Sequence, residues 1–185
     1  MVNELKRQSF HFGFGIILVL LLKYDILNLS LLFLILIIGF IISIISKNNK
    51  IPVISWFLDN FDRKEHLSGY GVLTYLLGII FVFGLFNKEI ALASIMILAF
   101  GDSFCHLGRF GRVQNPFNKY KFLEGTIIGI VAGTFGAVFF VPLNPAFFGS
   151  LVAMSIEGLE LNVLKKKIDD NLYIPLISAV IISLF

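Results

Sequence analysis

The feature that most constrains this chain is a set of long apolar stretches from which charge is missing. Leu29–Ser46 contains no charged residue, Leu67–Asn87 has none apart from His66 just before it, and none occurs from Gly125 to Ile156. A helix crossing a hydrocarbon core about 30 Å thick needs roughly 20 such residues. Gly125–Ile156 is too long for one crossing, and Pro142-Leu143-Asn144-Pro145 in its middle has the composition of a turn. It therefore divides into Gly125–Val141 and Ala146–Glu160. Gln8–Leu27, Ile90–His106 (apolar except for Asp102) and Leu172–Phe185 complete the set. The last is short, about 21 Å as a helix at 1.5 Å per residue. The expectation is an all-α fold, a polytopic membrane bundle of about seven transmembrane helices forming one domain over residues 1–185.

Composition agrees with this reading. The chain is 57% hydrophobic and 15% charged, with a mean hydropathy of +0.91, against about 45–50% and 25% for soluble domains. A chain of 185 residues has no core large enough to hide such an excess. A soluble enzyme and a disordered chain are excluded. The basic pI near 9.0 does not point to nucleic acid, because topology accounts for it. With the N-terminus in the cytoplasm, 15 Lys and Arg residues all fall on the inner side except Lys23 and Lys88, as the positive-inside rule requires. The C-terminus then lies outside. The lone Cys105 excludes a disulfide framework and a CxxC zinc site. No cleavable signal is expected, since no small-residue cleavage pattern follows the first apolar run.

The predicted outer connections, Lys23–Asn28, Phe86–Glu89 and Pro142–Pro145, are short. The inner ends hold the ionisable groups: His11, His66, Asp102, His106, Glu124, Glu157, Glu160, Asp169 and Asp170. Acids within spans are costly and usually face a protein interior or a pathway. These share one depth, which argues for a site at the inner surface and against a transport pathway. The densest segment runs Gly101-Asp102-Ser103-Phe104-Cys105-His106-Leu107-Gly108-Arg109-Phe110-Gly111-Arg112. Its glycines permit close backbone approach, its arginines can fork onto phosphate, and Asp102 is a hard oxygen ligand suited to Mg²⁺. Lys121-Phe122-Leu123-Glu124-Gly125 opens the next helix, whose N-terminus offers free N–H groups to an anion. On spacing alone, a metal–nucleotide site and a re-entrant loop with ordinary inner-surface charges both remain open.

Other residues carry similar pairs of readings. His11 lies at i+4 from Arg7 on one helix face, as part of a site or as an interfacial histidine. Glu157 and Glu160 at i, i+3 either bind metal or pair with Lys165 or Lys166. Asp170 or Asn171 is a candidate helix cap. Lys165–Lys167 reads equally as a contact for anionic lipid. Trp56 and Phe57 read as an amphipathic interfacial stretch, and Cys105 as a small packing residue.

Four blocks in order make the chain resemble the CTP-dependent lipid-alcohol kinases: dolichol kinase, phytol kinase and the yeast-type diacylglycerol kinase. They are Glu4-Leu5-Lys6-Arg7-Gln8-Ser9-Phe10-His11 with Gly15; Gly101-Asp102 through Gly108 and Gly111; Lys121-Phe122-Leu123-Glu124-Gly125; and Glu157 followed by Asp170-Asn171-Leu172 and Pro175. The chain departs at Gln8, where the family usually has Lys, and at Cys105, usually Ala. Its second and third glycines are more closely spaced than usual. The resemblance implies transfer of the γ-phosphate of CTP to the hydroxyl of a long isoprenoid alcohol at the cytoplasmic membrane face. It implies Mg²⁺ at Asp102, Glu124, Glu157 and Asp170. Nucleotide contacts would come from Arg7, Gly101, Gly108, Arg109, Lys119, Lys121, Gly125 and Asn171, and the hydroxyl proton would go to His11 or Asp102. Phosphoryl transfer asks mainly for positioning and charge neutralisation, which these residue types supply. The lipid alcohol would enter from the bilayer and the nucleotide from the cytoplasm. The rival readings are a phytol, geranylgeraniol or diacylglycerol kinase, a cytidylyltransferase making a CDP-lipid, a transporter, and a scaffold without activity.

Overall fold

A computed structural model describes residues 2–48, 51–61, 68–106, 108, 111–116, 118–159, 162–163 and 166–185. His66, Arg109, Glu160 and Lys165, all singled out in the sequence, lie outside the described residues. The described chain is mainly helical: α1 (Val2–Lys23), α2 (Leu29–Asn48), α3 (Pro52–Phe61), α4 (Tyr70–Leu85), α5 (Lys88–Met96), α6 (Ser103–Cys105), α7 (Leu123–Ala137), α8 (Leu143–Leu159) and α9 (Asp170–Ile182). A π-helical segment, Ile97–Asp102, joins α5 to α6 without a break. The all-α expectation holds, with a helical run at each predicted span.

α1 and α2 each carry a stretch long and apolar enough to cross a membrane, Leu5–Lys23 and Leu29–Ser46. In α2 that stretch has a mean hydropathy of 3.0 and only 11% of it is buried. Phe33, Ile37, Phe40 and Ile41 are among the side chains it leaves exposed. A contiguous apolar surface of this kind is untenable in water and suits lipid. The remaining apolar helices are shorter; the 13 residues of α9 reach about 20 Å.

The helices run back and forth between two ends of the bundle. At one end Lys88 Nζ meets Asp25 Oδ1 at 2.6 Å, and Lys23 Nζ sits 5.3 Å from the centroid of the Phe140 ring. At the other end Ser103 Oγ donates to Gln8 O at 3.3 Å and Asn171 Nδ2 to Gly71 O at 3.2 Å. There Asn115 Nδ2 also donates to Gly158 O at 3.2 Å. The core between them is built from Leu22, Tyr75, Ile79, Ile95, Ile97 and Ile174, all buried. Small residues let helix backbones approach closely in bundles of this kind. α7 lays Gly129 against Gly101 O and Gly133 against Ser150, and Ser150 Oγ donates to Ile130 O at 2.9 Å.

Two expectations need correction. The Pro142–Pro145 turn is displaced, because α8 already begins at Leu143; proline is tolerated in a first helical turn, where its missing N–H has no partner to lose. The cap of α9 is Asp169, whose side chain accepts from Asn171 N at 3.0 Å, not Asp170 or Asn171. The helical bundle also carries two short strand pairs in its inner connections. β1 (Gln114–Asn115) pairs antiparallel with β2 (Asn118–Phe122), and β3 (Asn162–Val163) with β4 (Lys166–Lys167).

Candidate active site

The end of the bundle opposite the Lys88–Asp25 pair gathers charge from four elements. Asp102 ends the π-helical segment, Glu157 sits in the last turn of α8, Asp170 opens α9, and Lys121 comes from β2. One oxygen each from Asp102, Glu157 and Asp170 lies within 4.8 Å of the others. Asp102 is 4% exposed and Glu157 2%. Asp102 Oδ1 has no hydrogen-bond partner among the described residues. Asp102 also feels the negative charges of Asp170 and Glu157 and the positive charges of Arg7 and Lys121. Three carboxylates at this spacing repel one another strongly. Glu157 adds to the cost, because the end of a helix already carries negative dipole charge.

Lys121 offsets part of this. Its ammonium donates to the carboxylate of Glu157 and, at 2.6 Å, to Glu157 O. Burial alone would lower the lysine pKa, but the Glu157 carboxylate outweighs burial and holds it above the usual lysine range. Lys121 therefore stays charged, and with Arg7 it sets two cations against three carboxylates. Hard oxygen donors in excess of positive charge fit a divalent metal, and the orphaned Asp102 oxygen fits the same reading. A second grouping, Asp102, Cys105 and His106, shares the Asp102 carboxylate; His106 Nε2 stands 3.8 Å from Asp102 Oδ1.

The predicted site residues distribute unevenly around this cluster. Asp102, Glu157 and Asp170 come together as the sequence suggested. Glu124 does not join them: its carboxylate accepts from Arg112 N at 2.7 Å and from Val113 N at 3.1 Å. These backbone bonds, led by Arg112, hold its carboxyl below the usual carboxylate range. Glu124 thus staples the connection between α6 and β1. Glu157 pairs with Lys121, so Lys121 is engaged by Glu157 where a free triphosphate ligand was expected; the side chains of Lys165 and Lys166, its other expected partners, lie outside the described part of the structure. Lys119 lies in β2, with its side chain outside the described part of the structure. Arg7 and His11 share α1, and the His11 ring meets Tyr75 edge-on at 5.2 Å.

The three glycines serve the protein's own packing. A Cβ on Gly101 would meet Met154 Sδ at 2.7 Å, and one on Gly125 would meet Cys105 O at 2.6 Å. A Cβ on Gly108 would run into the backbone of Gly125. They were expected to let the chain approach a nucleotide; in the structure Gly101 lets the π-helical segment approach α8, and Gly108 and Gly125 let the α6–β1 connection and the end of α6 approach α7. Asn171 ties α9 to α4 through Gly71, although its Oδ1 is buried with no partner among the described residues. Cys105 behaves as the small packing residue expected, its thiol donating to Asp102 O at 3.0 Å.

Several features here went unread in the sequence. The π-helical turn sets the register of Asp102, and such turns recur at functional sites. Its hydrogen-bond shift has no residue signature. Tyr75 is 1% exposed and its hydroxyl has no partner among the described residues; in an apolar span its sequence reads as core. Gln8 and Ser103 are buried against each other.

No protein-family model matches the sequence, and no solved structure matches it. The chain is 33% identical to the CTP-dependent diacylglycerol kinase 1 of Eremothecium gossypii over 143 residues, 64% of this chain and 45% of that protein. It is 28% identical to the CTP-dependent diacylglycerol kinase 1 of Saccharomyces cerevisiae over 150 residues, 65% of this chain and 50% of that protein. An uncharacterized protein of Methanocaldococcus jannaschii is 28% identical over 187 residues, covering 98% of this chain and 94% of its own length. The chain spans about half the length of the two kinases it matches. The similarity reaches the diacylglycerol branch of the kinases that the sequence resembles.

Proposed function

We propose that this chain is a CTP-dependent lipid kinase, embedded in the membrane by about seven helices with its N-terminus and active site on the cytoplasmic side. The observation that carries the reading is the largely buried carboxylate cluster of Asp102, Glu157 and Asp170 at one end of an apolar bundle, where the positive charges of Lys121 and Arg7 act on Asp102. The similarity to two CTP-dependent diacylglycerol kinases supplies the class of donor and acceptor. Asp102, Glu157 and Asp170 would hold Mg²⁺, which when bound neutralises charge on the transferring phosphoryl group.

The chain's own residues do the rest. Arg7 and the basic residues around β2, Lys119 and Lys121, bind phosphate oxygens; Lys121 reaches them by exchanging its bond to Glu157. Asp102 takes the proton of the lipid hydroxyl, with His11, one turn along α1 from Arg7, as the other candidate base. The surrounding helices exclude water, so the hydroxyl competes with no solvent nucleophile. The acceptor is the hydroxyl of a neutral lipid. The relatives' names favour diacylglycerol over the long isoprenoid alcohol suggested by the wider resemblance.

The test is transfer of label from γ-labelled CTP, with Mg²⁺, to a panel of diacylglycerol, dolichol, a polyprenol, geranylgeraniol and phytol, using purified protein in detergent. Label on one of these lipids with CDP released supports the reading and names the acceptor. Pyrophosphate released with a phospholipid acceptor would replace it with a cytidylyltransferase. Absence of CTP binding by folded protein would remove the enzyme reading.

A further inference from the structure

A recess of about 160 Å³ opens between α1 and α6, lined by Leu5, Gln8, Ser9, Phe12, Ser103 and Phe104. Phe104 also walls a second, apolar groove of about 500 Å³ along α7, with Phe100, Ile127, Val131 and Phe135 among its lining residues. The Phe12 ring packs edge-on against both Phe100 and Phe104, at 4.7 Å and 5.5 Å between centroids, so the two spaces share one aromatic wall. The groove faces outward: Ile127 and Val131 are 60% and 65% exposed. The recess is different in kind. Gln8 is 7% exposed, and its side-chain Oε1 is buried with no partner among the described residues. A buried acceptor left unsatisfied is costly and calls for an explanation.

We infer that the recess and groove together bind one chain of a neutral lipid alcohol, with its hydroxyl donating to Gln8 Oε1 and its hydrocarbon lying over Phe104 along α7. This inference rests on the kinase reading and adds where the acceptor sits. Three observations choose the occupant. The recess is lined by no charged side chain, so it offers no counter-charge to the phosphate of a phospholipid headgroup, which the neighbouring Asp102 would also repel. It does offer an acceptor, which a hydroxyl can satisfy and an acyl tail cannot. It also adjoins the carboxylate cluster: Ser103, whose hydroxyl donates to Gln8 O, follows Asp102 directly in the chain. Gln8 is thereby a specificity-determining residue of this chain, at a position where the resembled kinases usually carry a lysine.

The experiment is photolabelling of the full chain in phosphatidylcholine nanodiscs with a diazirine placed in the hydrocarbon of three probes: a diacylglycerol, a polyprenol and a phosphatidylcholine. Adducts are mapped by peptide mass spectrometry. An excess of at least fivefold on residues 100–104 and 127–135 for one alcohol probe over the phosphatidylcholine probe is expected. Unlabelled alcohol should compete it away, and the alcohol that labels identifies the acceptor class. Val131→Trp, which fills a lipid-facing position, should cut that labelling at least fivefold, Val131→Ala should keep it, and Gln8→Leu should lower it. Equal labelling by all three probes, or labelling indifferent to Val131→Trp, would overturn the inference. CTP-dependent phosphorylation measured on the same samples separates the two readings. Phosphorylation intact with adducts elsewhere removes the groove alone. Adducts in the groove without phosphorylation support the groove and count against the kinase.

Discussion

Replacing Lys121 by Met removes the cation that faces Glu157 and leaves a carboxylate 2% exposed beside two others within 4.8 Å. Breaking a buried ion pair by deleting one partner costs about 3–5 kcal/mol, because the remaining charge is uncompensated. The Lys121 side chain is 21% exposed, so water screens part of the loss, and about 3 kcal/mol is the expected destabilisation. The paired change Lys121→Met/Glu157→Gln removes the stranded charge with the cation. It should recover about 2 kcal/mol of that loss, a coupling typical of residues in direct contact. The assay is reversible unfolding in mixed detergent micelles followed by circular dichroism, for wild type, both single variants and the double. A divalent cation sharpens the test. If the three carboxylates bind it, a concentration of 100 times its dissociation constant stabilises the folded state by about 2.7 kcal/mol. That gain should be largest in Lys121→Met, where the ammonium no longer competes. Strict additivity of the two single changes, with Lys121→Met within about 0.5 kcal/mol of wild type, would refute the argument.

Gly108→Ala should destabilise the protein and lower its yield, since the added methyl has only the Gly125 backbone to displace; thermal unfolding in detergent checks this, and Gly13→Ala, with open space around its Cβ, is the neutral comparison. Lys88→Met should change stability by less than about 1 kcal/mol, because its partner Asp25 is 79% exposed and surface pairs contribute little; the same unfolding assay reads it. The amides of Arg112 and Val113 should be protected from hydrogen exchange at neutral pH and in Glu124→Ala should not. Because the bond from Arg112 N holds the folded Glu124 carboxyl below its ordinary range, its grip persists through that range and is lost only as pH falls through the lowered folded pKa, so the protection factors should fall only in acid.

How much the sequence disclosed depended on whether a feature lives in composition or in geometry. The helical runs were legible because an uncharged apolar stretch has few alternatives in structure, and Leu29–Ser46 became part of a helix with almost no burial. The gathering of Asp102, Glu157 and Asp170 was legible because acids at the ends of apolar runs share a depth when the runs alternate in direction. Partner choice was not legible. Glu124 follows Phe122 and Leu123 at the head of α7, and nothing in that string says that it turns back to two amides twelve and eleven residues earlier. Lys121 found Glu157 across 36 positions, a pairing set by how β2 crosses the end of α8. Gly101, Gly108 and Gly125 show a related ambiguity: absence of a side chain permits approach to a ligand or to another backbone, and only packing tells which. Gln8 read only as a departure from the lysine usual at its position; its burial against Ser103 gives it a setting that no sequence pattern marks.

The central claim is that Asp102, Glu157 and Asp170 form one divalent-cation site. The most direct measurement is Mn²⁺ binding by electron paramagnetic resonance, on protein in detergent without nucleotide, for wild type and for Asp102→Asn, Glu157→Gln and Asp170→Asn. The account predicts one saturable site in the wild type that each substitution weakens at least tenfold while far-ultraviolet circular dichroism stays unchanged. Mn²⁺ binding that is absent from the folded wild type, or present and indifferent to all three substitutions, would contradict it.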